Sequence, residues 1–284
     1  MTEPGQVSPD MTELAQLPPG IDPSRPSAAR IYDYMLGGEN NFQADRDALA
    51  QVIAAVPELH DIAWANRGFH QRSASWIAAR GVRQFIDIGS GLPTVGNTHE
   101  VVRKMIPAAR VVYVDIDPIV AAHAGALLAG DGGTTVITAD LRDPDAVLGD
   151  PGLRALIDFG EPVGLLMTAV LHFVADGSDP WSLVARYVGA LAPGSYLALS
   201  HATRENLPPV AVQRWAEAYA NAPEKIYLRS KAEVQRFFSG LELVPPYTGA
   251  EPAVIHMGLW GCEDPAPADS DGSRWGYCGV ARRP

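Results

Sequence analysis

The sequence predicts an α/β fold in which helices cover both faces of an open, mostly parallel β-sheet. Two observations support this prediction. Short apolar stretches alternate with segments of helical periodicity from residue 84 to residue 200. One of these stretches, Val111–Val114, is too hydrophobic for a strand with one wet face, and such a run is typical of a parallel strand that is covered on both sides.

The central unit of this fold is a strand, a turn, a helix and a second strand. The first strand is predicted at Phe85–Ile88, and a turn with two glycines follows it directly. A helix is predicted over residues 100–106, and Val111–Val114 forms the second strand. That strand ends at Asp115, which places a carboxylate where a nucleoside ribose can be held by its diol.

The residues of the glycine turn distinguish between two possible classes of adenosine-containing ligand. A dinucleotide fingerprint requires a third glycine after Gly89 and Gly91, but Thr94 occupies that place. The acidic residue also follows Gly91 at more than the usual spacing of roughly 20 residues. The pattern instead resembles the S-adenosylmethionine (SAM) site of class I methyltransferases. Its candidate cofactor residues are Asp87, Gly89, Ser90, Gly91, Thr94, Asp115 and Ile116.

Composition restricts the possible partners. The 33 acidic side chains against 22 basic ones give a net charge of −11, and no basic cluster occurs, so a nucleic-acid surface is not expected. A small-molecule or protein substrate is favoured. The cysteines, Cys262 and Cys278, are too few for a disulfide framework and lack metal-ligand spacing, which fits a reduced cytosol. No signal peptide or membrane-spanning run is found, so we expect a cytoplasmic protein.

Three segments precede the first strand. Residues 1–25 are rich in Pro, Gly, Ser and acidic residues and are predicted to be a disordered tail. Residues 26–82 are predicted to form a helical cap with helices at 27–36, 44–55 and 58–80; Ser27 is the expected N-cap of the first, and Gly37 its left-handed end. Because open parallel sheets bind ligands at the carboxyl ends of their strands, we expect the cap to pack over those ends.

Two cap residues are candidates for the site. Arg67 lies inside the third helix, and its planar guanidinium suits the carboxylate of the methionyl part of SAM. An ion pair with Asp33 or Asp45 is the alternative. The same two alternatives, a site role or a role within the cap, apply to Tyr32, which is a candidate catalytic residue.

Several long motifs resemble one family. They are Ala29–Phe42, Asn66–Phe69, Gln84–Thr94, Asn97–Val101 and Ala139–Pro144. Together they are similar to the actinobacterial S-adenosyl methyltransferase family, formerly a domain of unknown function, over nearly everything after the tail. The resemblance implies SAM as cofactor and a methyltransferase domain at residues 83–284. It also implies the class I methyltransferase fold, a seven-stranded sheet of order 3-2-1-4-5-7-6 with strand 7 antiparallel.

The resemblance assigns further cofactor contacts. Asp140 is expected to accept a hydrogen bond from the adenine amine, and the backbone N–H of Leu141 to meet a ring nitrogen; alternatively, Asp140 caps the following turn. Thr168 and Ala169 follow the fourth strand, Gly164–Met167, beside the expected position of the reactive methyl group.

The residues at the end of the fourth strand also restrict the possible reaction mechanisms. No Asp or Glu occurs from residue 167 to residue 174, so a Mg²⁺-dependent mechanism has no obvious ligand there, and no metal site is expected. The Asp/Asn-Pro-Pro-aromatic sequence of base-modifying amino methyltransferases is missing too. His172 and His201 are candidate general bases because imidazole titrates near cellular pH, and a structural role is the alternative for both.

The remaining segments complete the sheet. An excursion over residues 203–229 is expected either to wall the substrate or to pack on the body through Trp215 and Tyr219. Strands are predicted at 195–200, 241–244 and 277–281, and residues 251–273 are predicted to be loop-like and in part mobile.

Three functional hypotheses follow. The leading one is metal-independent, in-line transfer of the SAM methyl group to an O, N, S or C atom of a small molecule, in secondary metabolism, by a monomer or homodimer. The second is a SAM-binding sensor without transfer activity. The third, an NAD-dependent oxidoreductase, is disfavoured by Thr94 and by a chain end with a final strand but no catalytic domain.

Overall fold

The structure is a computed structural model of the 284-residue chain. It describes residues 21–54, 57, 59–94, 96–128, 130–205, 207–220, 222, 224–264, 268–270 and 272–284. Most of the predicted tail therefore lies outside the described residues. Its last part, residues 21–25, forms a turn whose carbonyls at Asp22 and Arg25 accept hydrogen bonds from Arg30.

The described strands form one sheet with a mixed direction. The bounds are β1 Gln84–Ile88, β2 Arg110–Asp115, β3 Thr134–Thr138, β4 Gly164–Thr168, β5 Tyr196–Ala202, β6 Glu242–Leu243, β7 Ile255–His256 and β8 Gly276–Arg282. Their order is β3-β2-β1-β4-β5-β8-β6, with β1 to β5 parallel and β8 antiparallel to both of its neighbours. The predicted strand order is confirmed.

One strand was not predicted. The two-residue strand β7 pairs with β8 through Ile255 and His256, so the sheet has eight described strands rather than seven. A strand this short has no room for the alternation of polar and apolar residues that would indicate it in a sequence.

The described helices lie before, between and after the strands. The bounds are α1 Ala28–Met35, α2 Gln43–Ile53, α3 Leu59–Ala78, α4 Thr98–Arg103, α5 Pro118–Leu127, α6 Pro144–Gly149, α7 Pro151–Leu156, α8 Pro180–Gly189, α9 Pro209–Ala218 and α10 Lys231–Gln235. Ser27 is the N-cap residue of α1, and Gly37 adopts φ +81°, as predicted. The Ser27 hydroxyl, however, donates to Asp117 at the end of β2 (2.7 Å), which ties α1 to the sheet.

Alternate residues of each strand enter two different cores. Phe85 and Val111 belong to one buried cluster with α3, whereas Ile86 and Val112 belong to a second cluster with α7 and α8. Because successive side chains of a strand point to opposite faces, both faces of the sheet are covered and dry. This burial explains the continuous hydrophobic run of β2.

Helix α3 does not lie only over the strand ends, as the cap prediction proposed. Its second half packs on a face of the sheet, where Ile77 is fully buried and the lack of a side chain at Gly164 leaves room for Ile77 and Phe85. A 20-residue helix is about 30 Å long, so it can cover a face and still reach the edge. Only its first half, from Ile62 to His70, reaches the carboxyl ends of the strands.

The segment predicted to be loop-like at 251–273 is largely packed where it is described. Trp260 is 1% exposed and meets Phe69 and Trp76 edge-on, with ring centroids 5.6 and 5.8 Å apart. Arg72 donates to the carbonyl of Trp260 (2.6 Å) and to that of Met257 (3.1 Å). Isolated aromatic anchors give no periodic pattern, so the sequence does not indicate this packing. In the described part of the chain, no helix is long and apolar enough to cross a membrane.

Candidate active site

A cavity of about 610 Å³ lies at the carboxyl ends of β1, β2 and β4. Its other walls come mainly from the first three helices, from α9 and from residues 139–142, 170–175 and 224–227. This volume is typical of a small-molecule site. The cavity brings together the predicted residues Arg67, Gly89, Ser90, Gly91, Asp115, Ile116, Asp140, Leu141, Thr168 and Ala169. Asp87 and Thr94 were predicted as well but do not line it.

The turn after β1 exposes bare backbone to the cavity. Gly89 and Gly91 adopt φ values of +71° and +66°, a region that favours glycine. A Cβ atom on Gly89 would lie 2.2 Å from Cγ2 of Val170, whereas nothing lies within 4 Å of one on Gly91. Gly89 is therefore required both by its backbone conformation and by the close approach of Val170.

We expect Gly89→Ala to lower the free energy of unfolding by about 3 kcal/mol. The left-handed conformation costs an L-residue roughly 1 to 2 kcal/mol, and overpacking against the stiff Val170 side chain adds a similar amount. Gly81→Ala is the matched control, because Gly81 has φ +85° but free space around it. Urea unfolding should show the smaller loss for the control; equal losses would contradict the steric part of this argument.

Asp115 is fixed by the glycine turn itself. Its carboxylate accepts hydrogen bonds from the backbone N–H groups of Gly91 (2.8 Å) and Asp117 (2.9 Å). Burial raises the pKa of this carboxyl, although both N–H groups act in the opposite direction. Each oxygen accepts one of these bonds and keeps a further lone pair, so the carboxylate can also bind a ligand hydroxyl.

Asp140 engages the nearby Arg142. The carboxylate accepts from the Arg142 backbone N–H (2.9 Å) and from its guanidinium (2.6 Å), and both side chains line the cavity. The helix after this turn is capped by Asp143 rather than by Asp140. Asp140 thus caps the turn that follows it through the Arg142 N–H, as the alternative proposed, and the Arg142 fork competes with any ligand amine for the carboxylate.

A buried hydrogen-bond chain connects Asp87 to the cavity through two residues that the sequence analysis missed. Thr98 donates to the Asp87 carboxylate (2.6 Å), and the ring nitrogens of His70 lie 2.8 Å from the Thr98 hydroxyl and 3.0 Å from the Thr168 hydroxyl. Asp87 does not line the cavity and therefore acts on the site indirectly, through Thr98 and His70. A signal was available, because His70 lies three residues after Arg67 and so shares its helix face.

The directions of these bonds follow from the proton count. The single hydroxyl proton of Thr98 is used on Asp87, so Thr98 must accept from Nε2–H of His70. Nδ1 of His70 is then an acceptor for the Thr168 hydroxyl. Burial lowers the pKa of His70 to about 3, with the Arg67 charge as a second cause, which keeps the ring neutral. The Thr168 lone pairs remain available to a donor in the cavity.

Arg67 is buried beside the hydrogen-bond chain that runs from Asp87 to Thr168. It donates to the Asn97 side-chain oxygen (3.3 Å), and its charge counteracts the burial that raises the pKa of Asp87 to about 6. The carboxylates considered as alternative partners have other contacts. Asp45 pairs with Arg30 at 2.8 Å, and Asp33 accepts from the backbone N–H of Asn40 at 2.9 Å.

Tyr32 ends a second hydrogen-bond chain, which begins at the β4 tip. The Ala169 N–H donates to Ser200, and Ser200 donates to Asn66 (2.5 Å), whose amide donates to Tyr32 (2.8 Å). Tyr32 in turn donates its proton to the Ala63 carbonyl (3.2 Å). Ala169 has φ +54°, an uncommon conformation for a non-glycine residue, and this chain holds it. Both hydrogen bonds of the Tyr32 hydroxyl are made to protein groups, and burial raises its pKa. A positioning role is therefore favoured over a catalytic one.

The two candidate histidines are engaged with protein groups. His201 donates from Nδ1 to the Ala202 carbonyl (2.7 Å), so its Nε2 must accept from Arg229 (2.7 Å). No lone pair of His201 is left to take a proton. Burial, and then the Arg229 charge, lower the pKa of His172 to about 3. Both observations favour the structural interpretation, because an effective base has a pKa near the working pH.

Two buried hydroxyls beside the glycine turn lack a protein partner. Ser90 Oγ and Thr94 Oγ1 have no hydrogen-bond acceptor or donor among the described residues. An unpaired buried polar atom is costly, so a ligand that pairs with Ser90 would be favoured there. In the same described part of the chain, no group of three or more His, Cys, Asp or Glu side chains could hold a metal ion.

A model of the S-adenosyl methyltransferase family matches residues 14–284. The chain belongs to this family. The resemblance that the sequence motifs indicated is thus confirmed, and SAM is the cofactor of the family. The residues present fit it, because Asp115 offers a carboxylate to a ribose, the glycine turn offers bare backbone, and Ser90 has an unpaired hydroxyl.

Two crystal structures of other proteins are similar over nearly the whole chain. A candidate methyltransferase from Thermobifida fusca YX is 40% identical, with a TM-score of 0.86, and the match covers 94% of this chain and 98% of that one. A DUF574 family protein from Streptomyces avermitilis is also 40% identical, with a TM-score of 0.85 and coverage of 93% and 99%. Among curated proteins, none matches the sequence significantly.

Proposed function

We propose that this family member transfers the methyl group of SAM to a small-molecule acceptor, in the cytoplasm and without a metal ion. The observation that carries the proposal is the continuity of the 610 Å³ cavity, which joins the cofactor-type residues at the strand ends to an apolar part under the helices. The β4 tip supports metal independence, because Thr168, Ala169 and Val170 supply no carboxylate there.

The ribose and the methionyl groups of the cofactor have chemical counterparts in the proposed site. Asp115 would hold the ribose hydroxyls, and the backbone of Gly89 to Gly91 would allow close approach. Arg67 would hold the methionyl carboxylate, since its planar fork suits that group. Thr168 would accept a hydrogen bond from the α-ammonium group, because His70 takes the Thr168 proton.

The chemistry itself needs few protein groups. Bound SAM would supply a methyl carbon on a sulfonium: the acceptor atom would bond to that carbon as the C–S bond broke with its electron pair on sulfur, and a proton carried by the acceptor would be released to solvent when the product leaves the cavity. The protein excludes bulk water and aligns the reactants, which can supply roughly 7 to 11 kcal/mol of the barrier. A base of matched pKa is not required, which is consistent with the engaged histidines His172 and His201.

The test is calorimetry with SAM and with NAD, followed by incubation with methyl-labelled SAM and pools of small metabolites. We expect SAM to bind, NAD not to bind, and the label to appear in a small molecule. Binding of SAM without any transfer would favour the sensor hypothesis instead. Binding of NAD in preference to SAM would overturn the proposal.

A further inference from the structure

Several charged side chains that line the cavity lie together at the ends of two strands. Asp115, Asp117, Asp140 and Arg142 lie at the ends of β2 and β3. Glu224 also lines the cavity, and the pKa of its carboxyl is raised by burial and then by the charges of Asp117 and Asp115. This charged side coincides with the proposed ribose and adenine positions.

The opposite side of the cavity is apolar. Side chains of α1, α2, α3 and α9 form its walls and belong to one continuous buried cluster; they include Met35, Leu49, Val52, Ile62, Trp215 and Tyr219. We call these six residues the apolar compartment. Phe173, which follows the β4 tip, lies at its border, with its ring centroid 5.7 Å from that of Tyr219.

Polar groups at the border of the apolar compartment are already satisfied by the protein. The Tyr32 hydroxyl donates to Ala63 and accepts from Asn66, and both ring nitrogens of His201 have partners. Lys225 lines the cavity too, but it is exposed at the rim. The six side chains of the compartment carry no charge themselves; among the described residues that line the cavity, the other charged groups on this side are Glu224, whose charge acts on Tyr219, and Arg67, which is assigned to the methionyl carboxylate.

From this arrangement we propose that the methyl acceptor is an uncharged, predominantly apolar small molecule with an aromatic ring, bound in the apolar compartment. The inference rests on the proposed function. An ionised carboxylate or ammonium would lose its hydration there without a partner, at a cost of several kcal/mol. A flat apolar ring would instead gain contact with Phe173, Trp215 and Tyr219, and aromatic pairs prefer offset or edge-on arrangements.

The direct test uses three probes that share one ring system: naphthol, naphthoate and naphthylmethylammonium. Each is titrated calorimetrically into the SAM-saturated protein at pH 7. We expect naphthol to bind, and the two charged probes to bind at least about tenfold more weakly, because 1.4 kcal/mol of uncompensated desolvation already gives that factor. Absence of naphthol binding, or equal binding of a charged probe, would overturn the inference.

A matched pair of substitutions locates the probe. Val52→Thr places a hydroxyl in the wall of the compartment, where Val52 is 1% exposed, with little change of shape. We expect it to weaken naphthol binding several-fold and to leave SAM affinity unchanged. Val210→Thr on α9 is the control, because Val210 is 51% exposed, and it should change neither. Naphthol binding that is unaffected by Val52→Thr would place the acceptor elsewhere.

Measurements of turnover can test this inference separately from the proposed function. Labelled SAM is offered with neutral aromatic acceptors and with their carboxylate or ammonium analogues, and kcat/KM is compared within each pair. We expect the neutral member to be the better acceptor. Transfer only to charged acceptors would refute the inference but leave the proposed function standing, whereas a protein that binds no SAM would refute the proposed function first.

Discussion

Replacing Asp115 with alanine is expected to weaken SAM binding by about 100-fold. The carboxylate is held at the end of β2 by the N–H groups of Gly91 and Asp117, and it keeps acceptor capacity for the ribose hydroxyls. A hydrogen bond to a charged group contributes roughly 1.5 to 3 kcal/mol, so loss of two of them gives a factor of this size or more. Calorimetry with SAM measures the effect directly.

Two further variants show whether the effect belongs to the ligand or to the turn. Asp115→Asn keeps an oxygen that can accept from Gly91, so it should preserve the turn and lose affinity mainly through the missing charge. Asp47→Ala removes a carboxylate from an exposed position on α2 and should leave affinity unchanged. If Asp115→Ala binds SAM as tightly as the natural protein while its Tm is unchanged, Asp115 does not hold the ribose.

The part of the site that was predictable from the sequence is the part in which one short segment sets both fold and chemistry. Gly89, Gly91 and Asp115 stand directly after apolar strands, so their position at the carboxyl edge follows from the strand pattern alone. The strand order was predicted from the family resemblance, which implies the class I methyltransferase fold.

The rest depends on contacts between segments that are distant in the chain. His70 and Thr98 are unremarkable helical residues in the sequence, and their role appears only when α3 and α4 meet beside Asp87. The path of α3 across the sheet face is also tertiary, because a helical stripe does not specify which surface it covers. Trp260, which is distant from α3 in the sequence, packs against Phe69 of this helix.

His201 is another residue whose chemical role could not be predicted from the sequence. As a sequence feature, a histidine after a strand at the site is a candidate base. Arg229, 28 residues later, occupies its lone pair and also donates to the Leu171 and Val174 carbonyls. The Arg229 side chain thus holds the loop after β4, which no local pattern indicates.

Acidification from pH 7 to pH 5 is expected to lower the free energy of unfolding by about 3 kcal/mol, as the balance between a loss at buried histidines and a smaller gain at one buried acid. Burial lowers the pKa of His70 and of His172 to about 3 from the ordinary 6.5, and it places that of His201 well below 6.5. A depressed pKa means that this stability is complete above pH 6.5 and is lost as the pH falls towards 3. Each buried histidine contributes about 1.4 kcal/mol per pH unit in that window.

One buried acid opposes this trend. Burial raises the pKa of Asp87 to about 6 from 3.8, so its contribution improves as the pH falls from 6 to 3.8. At pH 5, His70 and His172 together cost about 4 kcal/mol, and Asp87 returns about 1.4 kcal/mol. The direction of the His201 shift adds to the loss.

Urea unfolding at several pH values between 7 and 5 measures this dependence. His172→Gln should reduce the pH slope of the unfolding free energy by about 1.4 kcal/mol per unit, because one proton fewer is taken up on unfolding. His123→Gln, at an exposed position of α5, should leave the slope as it is. A slope that His172→Gln does not change would mean that His172 takes up its proton over the same pH range in the folded and the unfolded protein, and its interpretation as a buried residue that stays neutral would fail.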